Sequence, residues 1–317
     1  MPGNGNNQPF IIVIGHLVKD EIISAEGTIN IALGGIAYNL AALCALMKQG
    51  RVHPVCRIGK DIRNLVNDAF GVSPVFDYSG IAYSNRPNIV NRLEYGHDGG
   101  REEWNSGKPR PLDISDIPTD ADVVMFNFIS GNDVGLSDLK EFREIYQGLI
   151  YCDYHSLSLG RDGSGKRYHR YHTRWREYLS VADIVQMNVA ELSTIVRREM
   201  SDNHEIAIAA RNLHEAGPTI AIITMGDIGV IISDGKRGEQ FHVPAVNIKG
   251  RVDPTGCGDT LAAAFIYHYL QDGDIIRSIE FANYYAAAKA TFTGLDGFGR
   301  IDEILNFIGP IQKARRI

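Results

Sequence analysis

The chain has little cysteine, no long apolar run and no excess of positive charge, and each shortage removes a class of function. Its four cysteines, Cys44, Cys56, Cys152 and Cys257, lie far apart without CxxC spacing. They read as free thiols in a reducing compartment rather than a disulfide frame or zinc site. No apolar stretch approaches the length of a bilayer span. The opening MPGNGNNQPF is polar, without basic n-region or apolar core, so no signal peptide is expected and the expected location is cytoplasmic. A formal net charge of −6 argues against a broad nucleic-acid face. GxSxG and HExxH are absent, and His169 and His172 have no third ligand nearby, so neither an α/β-hydrolase nor a zinc enzyme is expected.

Two stretches imitate functional motifs. Gly160–Lys166 matches GxxxxGK, but Arg167 stands where a P-loop needs Ser or Thr for Mg²⁺, and no helical apolar pattern follows. Lys166–Arg176 (KRYHRYHTRWR) is basic and aromatic, as a nucleic-acid contact is, but the acidic whole makes a solvated surface segment the expected reading.

What is present is an α/β rhythm. Ile11–Gly15 is a β-branched run of the kind buried on both faces of a parallel sheet. Val52–Ile58 is a second strand, and Gly59-Lys60-Asp61 turns into a helix ending near Phe70. From Ala121 onward, Val123–Phe126, Leu149–Cys152, Ile184–Met187 and Ile220–Ile223 are short apolar runs separated by amphipathic stretches such as 138–147 and 203–216. This predicts a mainly parallel sheet covered by helices on both faces, with ligands at the carboxyl ends of its strands. Asn88–Tyr95 alternates polar and apolar and leads to a hairpin turn at Asp98-Gly99-Gly100. Together with Asp20–Asn30 it predicts a small half-exposed sheet, so that a single domain spans 1–317 with lid excursions at about 17–32 and 81–108.

The chain is organised around Asp253–Leu270, DPTGCGDTLAAAFIYHYL. A tight turn with Gly256 and Gly258 delivers Asp259 at the start of an apolar helix. The first N–H groups of a helix have no internal partners and its dipole is positive at that end, so the turn is suited to a phosphate or developing oxyanion. Asp259 beside it is placed to take a proton from a hydroxyl, the requirement of phosphoryl transfer to an alcohol. The same residues also describe a Gly-rich turn with an acidic first helical turn. Three weaker motifs accompany it. Leu33–Met47 is a glycine pair, Gly34-Gly35, leading into a helix on which Asn39 is the one strongly polar side chain, a satisfied core amide or a ligand contact. Asn188 and Glu191 are three apart after a strand, either a helix cap with an acid in the first turn or a hold on hydrated Mg²⁺. Thr224, Gly226 and Gly229 follow the next strand, as a hairpin turn or an approach to nucleotide phosphates.

In this order the four motifs resemble the ribokinase-like (PfkB) family of carbohydrate and nucleoside kinases, over roughly Ile11–Gly294. The resemblance rests on Gly34–Ala41, Asn188-x-x-Glu191, Thr224-x-Gly226-x-x-Gly229 and Asp253–Ala262. It implies a three-layer α/β/α Rossmann-like domain with a small β lid, and an ATP-dependent kinase phosphorylating a hydroxymethyl group of a small sugar. The alternatives are an adenosine-type nucleoside kinase and a non-catalytic sugar- or nucleotide-binding protein of the same fold. By resemblance, Asp259 is the base and the N–H groups of Gly256, Cys257 and Gly258 form the anion hole. Asp20, Gly34, Gly35 and Asn39 contact sugar hydroxyls. Asn188 and Glu191 hold Mg²⁺ through water, with Asn188 on the nucleotide side. Thr224, Gly226 and Gly229 contact the nucleotide, and Asn283 lines the adenine pocket. Asp253 and Gly294 match the loops around the monovalent-cation (K⁺) site that many members carry. Lid strands in this family often pair between subunits, which implies a homodimer. Val18 departs from the Asn usual two residues before the substrate Asp in ribokinases proper, which speaks against D-ribose.

Overall fold

The computed structural model describes residues 8–97, 100–248 and 253–317. The N-terminal tail before residue 8 and the turn residues Asp98 and Gly99 lie outside the described residues. Phe10–Ile14 is buried at every position, and its alternation sends Ile11 and Val13 to one face of a sheet and Phe10, Ile12 and Ile14 to the other. Two separate apolar clusters result, one on each face, which is why an unbroken apolar run is stable there.

Among the described residues the main sheet has ten strands. Seven are parallel, in the order Ile220–Thr224, Ile184–Asn188, Leu149–Asp153, Val123–Asn127, Phe10–Ile14, Arg51–Gly59 and Ile81–Ser84. Gly229–Asp234, Glu239–Pro244 and Arg315–Arg316 extend it antiparallel beyond Ile220–Thr224. Chain order reverses around Phe10–Ile14, which lies between Val123–Asn127 and Arg51–Gly59. One face carries the helices Ala37–Leu46, Cys257–Asp272 and Ile275–Lys289, whose small residues Ala262, Ala263, Ala264 and Ala282 are fully buried between them. The other carries Leu136–Ile145, Val189–Val196 and Asn203–Asn212. No helix among the described residues is long and apolar enough to cross a membrane.

A second sheet of four strands stands over the carboxyl ends of the first. Its order is Ile29–Gly35, Leu17–Ile23, Val90–Tyr95, Arg101–Asn105. Leu17–Ile23 pairs antiparallel with Ile29–Gly35 and parallel with Val90–Tyr95, so both excursions are joined through one strand. Ile81–Ser84, inside the second expected excursion, instead adds to the edge of the main sheet, with Cys56 opposite Ile81. Gly160–Lys166 is not a phosphate loop: it joins Leu159–Arg161 to Arg167–His169 as a hairpin, and Lys166 pairs with Glu102 beside Trp104. The basic segment is only partly solvated. Arg167 is buried against Glu103 of the lid (3.5 Å), and Trp175 opens a short helix with its ring in the core.

Candidate active site

Four neighbouring parallel strands end on polar residues at the same edge of the sheet: Val123–Asn127, Leu149–Asp153, Ile184–Asn188 and Ile220–Thr224. Register fixes their mutual positions, with Asn127 opposite Asp153 and Asn188 opposite Thr224. Above this row the turn from Asp253 brings in Asp259, in the first turn of the helix Cys257–Asp272. Gly256 enters that helix at φ 77°, and a side chain there would run into the ring of Tyr38. Glycine is required on both counts.

Asp259 is held from below. Asn127 donates its amide to the Asp259 carboxylate (2.6 Å) and to Asn39 Oδ1 (3.0 Å), and Asn39 donates to the backbone carbonyl of Asp259 (3.0 Å). Gln186 donates to the carbonyl of Gly258 (3.0 Å) and to Asp153 (3.2 Å), while accepting from Tyr151 (2.7 Å). The base candidate therefore sits on a frame of three amides. Burial pushes the Asp259 carboxyl up to about 6, opposed by the Asn127 hydrogen bond, its own backbone N–H and the charge of Lys289. Burial, together with the charges of Glu191 and Asp259, raises the Asp153 carboxyl as well. A general base with a pKa near the working pH is the efficient kind.

Asn188 and Glu191 form a full capping box. The Asn188 side chain accepts from the Glu191 N–H (2.9 Å), Glu191 accepts from the Asn188 N–H (2.9 Å), and the two side chains are joined at 2.8 Å. Glu191 is buried, and desolvation raises its carboxyl to about 7. The Cys257 N–H, one of the three expected at the anion hole, closes the turn on the Pro254 carbonyl (3.2 Å).

Two cavities meet at this turn. The first, about 610 Å³, is lined by Thr224, Gly226, Gly229, Cys257 and Asn283, with an apolar wall that includes Val246, Leu261 and Ala286. Asn283 donates to the Pro244 carbonyl (2.9 Å). The second, about 240 Å³, is polar and lies beneath the lid, with Asp20, Gly35, Asn91, Glu103, Asp153 and Asp259 among its lining residues. Both are bounded by Asn188, Thr224, Pro254 and Gly258. Of the expected acceptor contacts, Asp20 and Gly35 line the smaller cavity. Gly34 lies behind, where a side chain would strike the Asp20 carboxylate. Asn39 is buried beneath the cleft in the amide frame. Tyr95 of the lid meets Thr255 of the turn (3.1 Å). Asp253 and Gly294 lie on two adjoining loops behind the turn, outside the lining of both cavities.

Sequence reading passed over Asn127, Asp153, Gln186 and Asn91. The signal for the first two was their position as the last residue of a parallel strand, the place where such sheets put ligands. Gln186 and Asn91 lie within strands and carry no such mark.

Comparison with known proteins agrees with this geometry. Residues 164–297 match the model of the pfkB family carbohydrate kinases. The chain is 28% identical over 279 residues to a cytidine kinase of Thermococcus kodakarensis, covering 82% of this chain and 88% of that one. A deoxyribokinase of Salmonella typhi is 31% identical over 117 residues, 37% of each chain. Among solved structures, a pyrophosphate-dependent kinase in the ribokinase family superposes with a TM-score of 0.75 at 20% identity, covering 90% of this chain and 96% of that one. Arabidopsis thaliana ribokinase, complexed with ribose and ATP, gives 0.72 at 18% identity, covering 95% and 100%. The ribokinase-like (PfkB) resemblance and the ribokinase-like fold are both borne out, and the chain is a phosphotransferase with an alcohol group as acceptor.

Proposed function

Taking the chain as a kinase of ribokinase type, we propose that it transfers the γ-phosphate of ATP to a hydroxymethyl group of a small sugar. The observation that carries this reading is a carboxylate of raised pKa, Asp259, at the junction of an apolar cavity and a smaller polar one. The larger cavity fits a nucleotide: its apolar wall suits a base, and the glycines of the turn let a phosphate chain approach. When bound, ATP supplies the phosphoryl group and Mg²⁺ neutralises the charge on its oxygens. Among the described residues no three His, Cys, Asp or Glu side chains cluster to hold a metal. Mg²⁺ keeps most of its waters and asks for few protein ligands. Asn188 and Glu191 at the cavity boundary then act through water, with their capping box fixing both side chains.

Asp259 accepts the proton of the acceptor hydroxyl, and Asn127 and Asn39 keep its carboxylate and backbone in place. The Cys257 N–H, expected at the anion hole, is taken by the Pro254 carbonyl, so the N–H groups of the first helical turn after it are the ones that face negative charge on the transferred group. Asp20 and Gly35, with Asn91 and Glu103 of the lid, hold the acceptor, and Gly34 leaves room for the Asp20 carboxylate. The polar, small second cavity favours a monosaccharide. A nucleoside acceptor is the second reading, supported by the nearly full-length similarity to a cytidine kinase. Exposed Ile29 and Ile31 on the outer lid strand offer an apolar edge for a homodimer. ADP release with ATP-Mg²⁺ across monosaccharides and nucleosides tests the reading. One strong sugar acceptor supports it and one strong nucleoside acceptor replaces it. Ligand binding without any ADP release assigns the fold to binding alone.

A further inference from the structure

The loops bearing Asp253 and Gly294 raise the question of a bound K⁺, and the residues present answer it differently. Lys289, the last residue of the helix Ile275–Lys289, is fully buried with its ammonium between those loops. It donates to the carbonyl of Phe292 (3.0 Å) and reaches the Asp253 carbonyl at 3.5 Å, with Asp253 Oδ2 at 3.9 Å. The faces of Phe292 and Tyr38 lie 4.9 and 5.4 Å from the same nitrogen. A buried ammonium costs several kcal/mol unless such partners surround it. Here a carboxylate, two carbonyls, two aromatic faces and the negative end of a helix do so. A K⁺ drawn to the oxygens of Asp253 and Phe292 would have to share them with the ammonium and would be repelled by it. A bound K⁺ does not fit this chain.

We infer that the Lys289 ammonium is a built-in monovalent cation for the active site, making the enzyme independent of K⁺. The placement favours a functional rather than a merely filling role. Asp253, which Lys289 engages, opens the turn that carries the anion hole, and its Oδ1 accepts from Thr255 N–H (2.9 Å) within that turn. Tyr38, under the ammonium, packs against Gly256 of the same turn. Ammonium and K⁺ are alike in size and charge, and one can do the other's work of tying the two loops together behind the transferred phosphate. Lys289 is not itself a lining residue of either cavity; it meets the smaller one only through the face of Tyr38 and acts through the turn, as a positioning residue.

The inference rests on the kinase reading for its rate measurements, so binding is read separately. Turnover and thermal midpoint of the wild-type protein are compared in K⁺, NH₄⁺, Na⁺ and tetramethylammonium at equal ionic strength. The expected result is no preference in either readout. Lys289→Ala opens a space for an ion, and its turnover falls roughly tenfold or more. K⁺ or NH₄⁺ restores a large part of it and tetramethylammonium none, with the thermal midpoint of the variant, but not of the wild type, rising in K⁺. Several-fold activation or K⁺-specific stabilisation of the wild type overturns the inference, as does full turnover in Lys289→Ala without added K⁺. If Lys289→Ala does not fold, the wild-type cation series alone decides. If no acceptor is found, the kinase reading fails by itself, and the thermal midpoints still test the cation.

Discussion

The strands that end at the cleft and the strands that cover it hold their side chains to different degrees. Val123–Asn127 and Leu149–Asp153 are buried almost throughout, and the polar residues at their ends are locked by amides and carboxylates of the same frame. The lid strand Ile29–Gly35 is exposed over its first three residues, and the facing strand Leu17–Ile23 is only half-buried over most of its length. The lid contributes polar side chains to the cleft from Asp20, Asn91 and Glu103, and its Tyr95 touches the turn from Asp253 at Thr255. Proton transfer needs a group whose pKa and position are fixed, and only the dry edge of the main sheet can fix them. Acceptor recognition needs shape and hydrogen bonds, which a half-exposed sheet supplies and can alter cheaply.

If that division holds, changes at the edge strike turnover and changes in the lid strike affinity. The largest effect is expected for Asp259→Asn, which removes the base and lowers kcat by ~100-fold or more while ATP affinity measured by calorimetry is retained. Asn127→Ala leaves the base but loosens it, and should lower kcat roughly tenfold with acceptor KM little changed, a split read from steady-state kinetics. In the lid the pattern reverses. Asp20→Asn should raise acceptor KM about tenfold with the KM for ATP unmoved, since a charged partner of a hydroxyl is worth ~1.5 kcal/mol. A comparable fall in kcat instead would erase the distinction between the two sheets.

The smallest effect concerns stability. The folded protein raises the Asp153 carboxyl by burial beside Glu191 and Asp259, so it binds more protons there than the unfolded chain. Stability contributed by that proton is present at low pH and lost as pH rises through the raised pKa. Asp153→Asn removes the cost, and its thermal midpoint at pH 8 should exceed that of the wild type by about 1–3 °C, with little difference near pH 4.

The same contrast explains what the sequence disclosed. The buried strands announced themselves as short β-branched runs, and the turn from Asp253 to Asp259 carried its chemistry in local residues. The order of motifs along the chain then raised the expectation of which residues face a nucleotide and which an acceptor. Asn127 carried only its strand-end position as a signal, and Gln186 and Lys289 carried none, because Gln186 acts through partners more than thirty residues away and Lys289 through loops that only the fold brings together. A lysine after three alanines in an amphipathic helix reads as a surface cation, and nothing in Ala286–Lys289 shows that it is fully buried. Asn39 read as a satisfied core amide or, by resemblance, a ligand contact; its bonds to Asn127 and Asp259 match the first reading, though a lone amide on an apolar helix gives no hint of those partners. Ile81–Ser84 was assigned to the lid by proximity in sequence, whereas pairing with Arg51–Gly59 depends on a register that no local pattern encodes.

The most direct test of a desolvated carboxylate as the base is the pH dependence of kcat/KM in the wild type and in Asn127→Ala. The rate should rise with pH through about 6 as Asp259 loses its proton. Without the Asn127 hydrogen bond the carboxylate is less favoured, so the rise should move to higher pH in the variant. A flat profile between pH 5 and 8, or a rise that stays in place when Asn127 is removed, would contradict the assignment of Asp259 as the base.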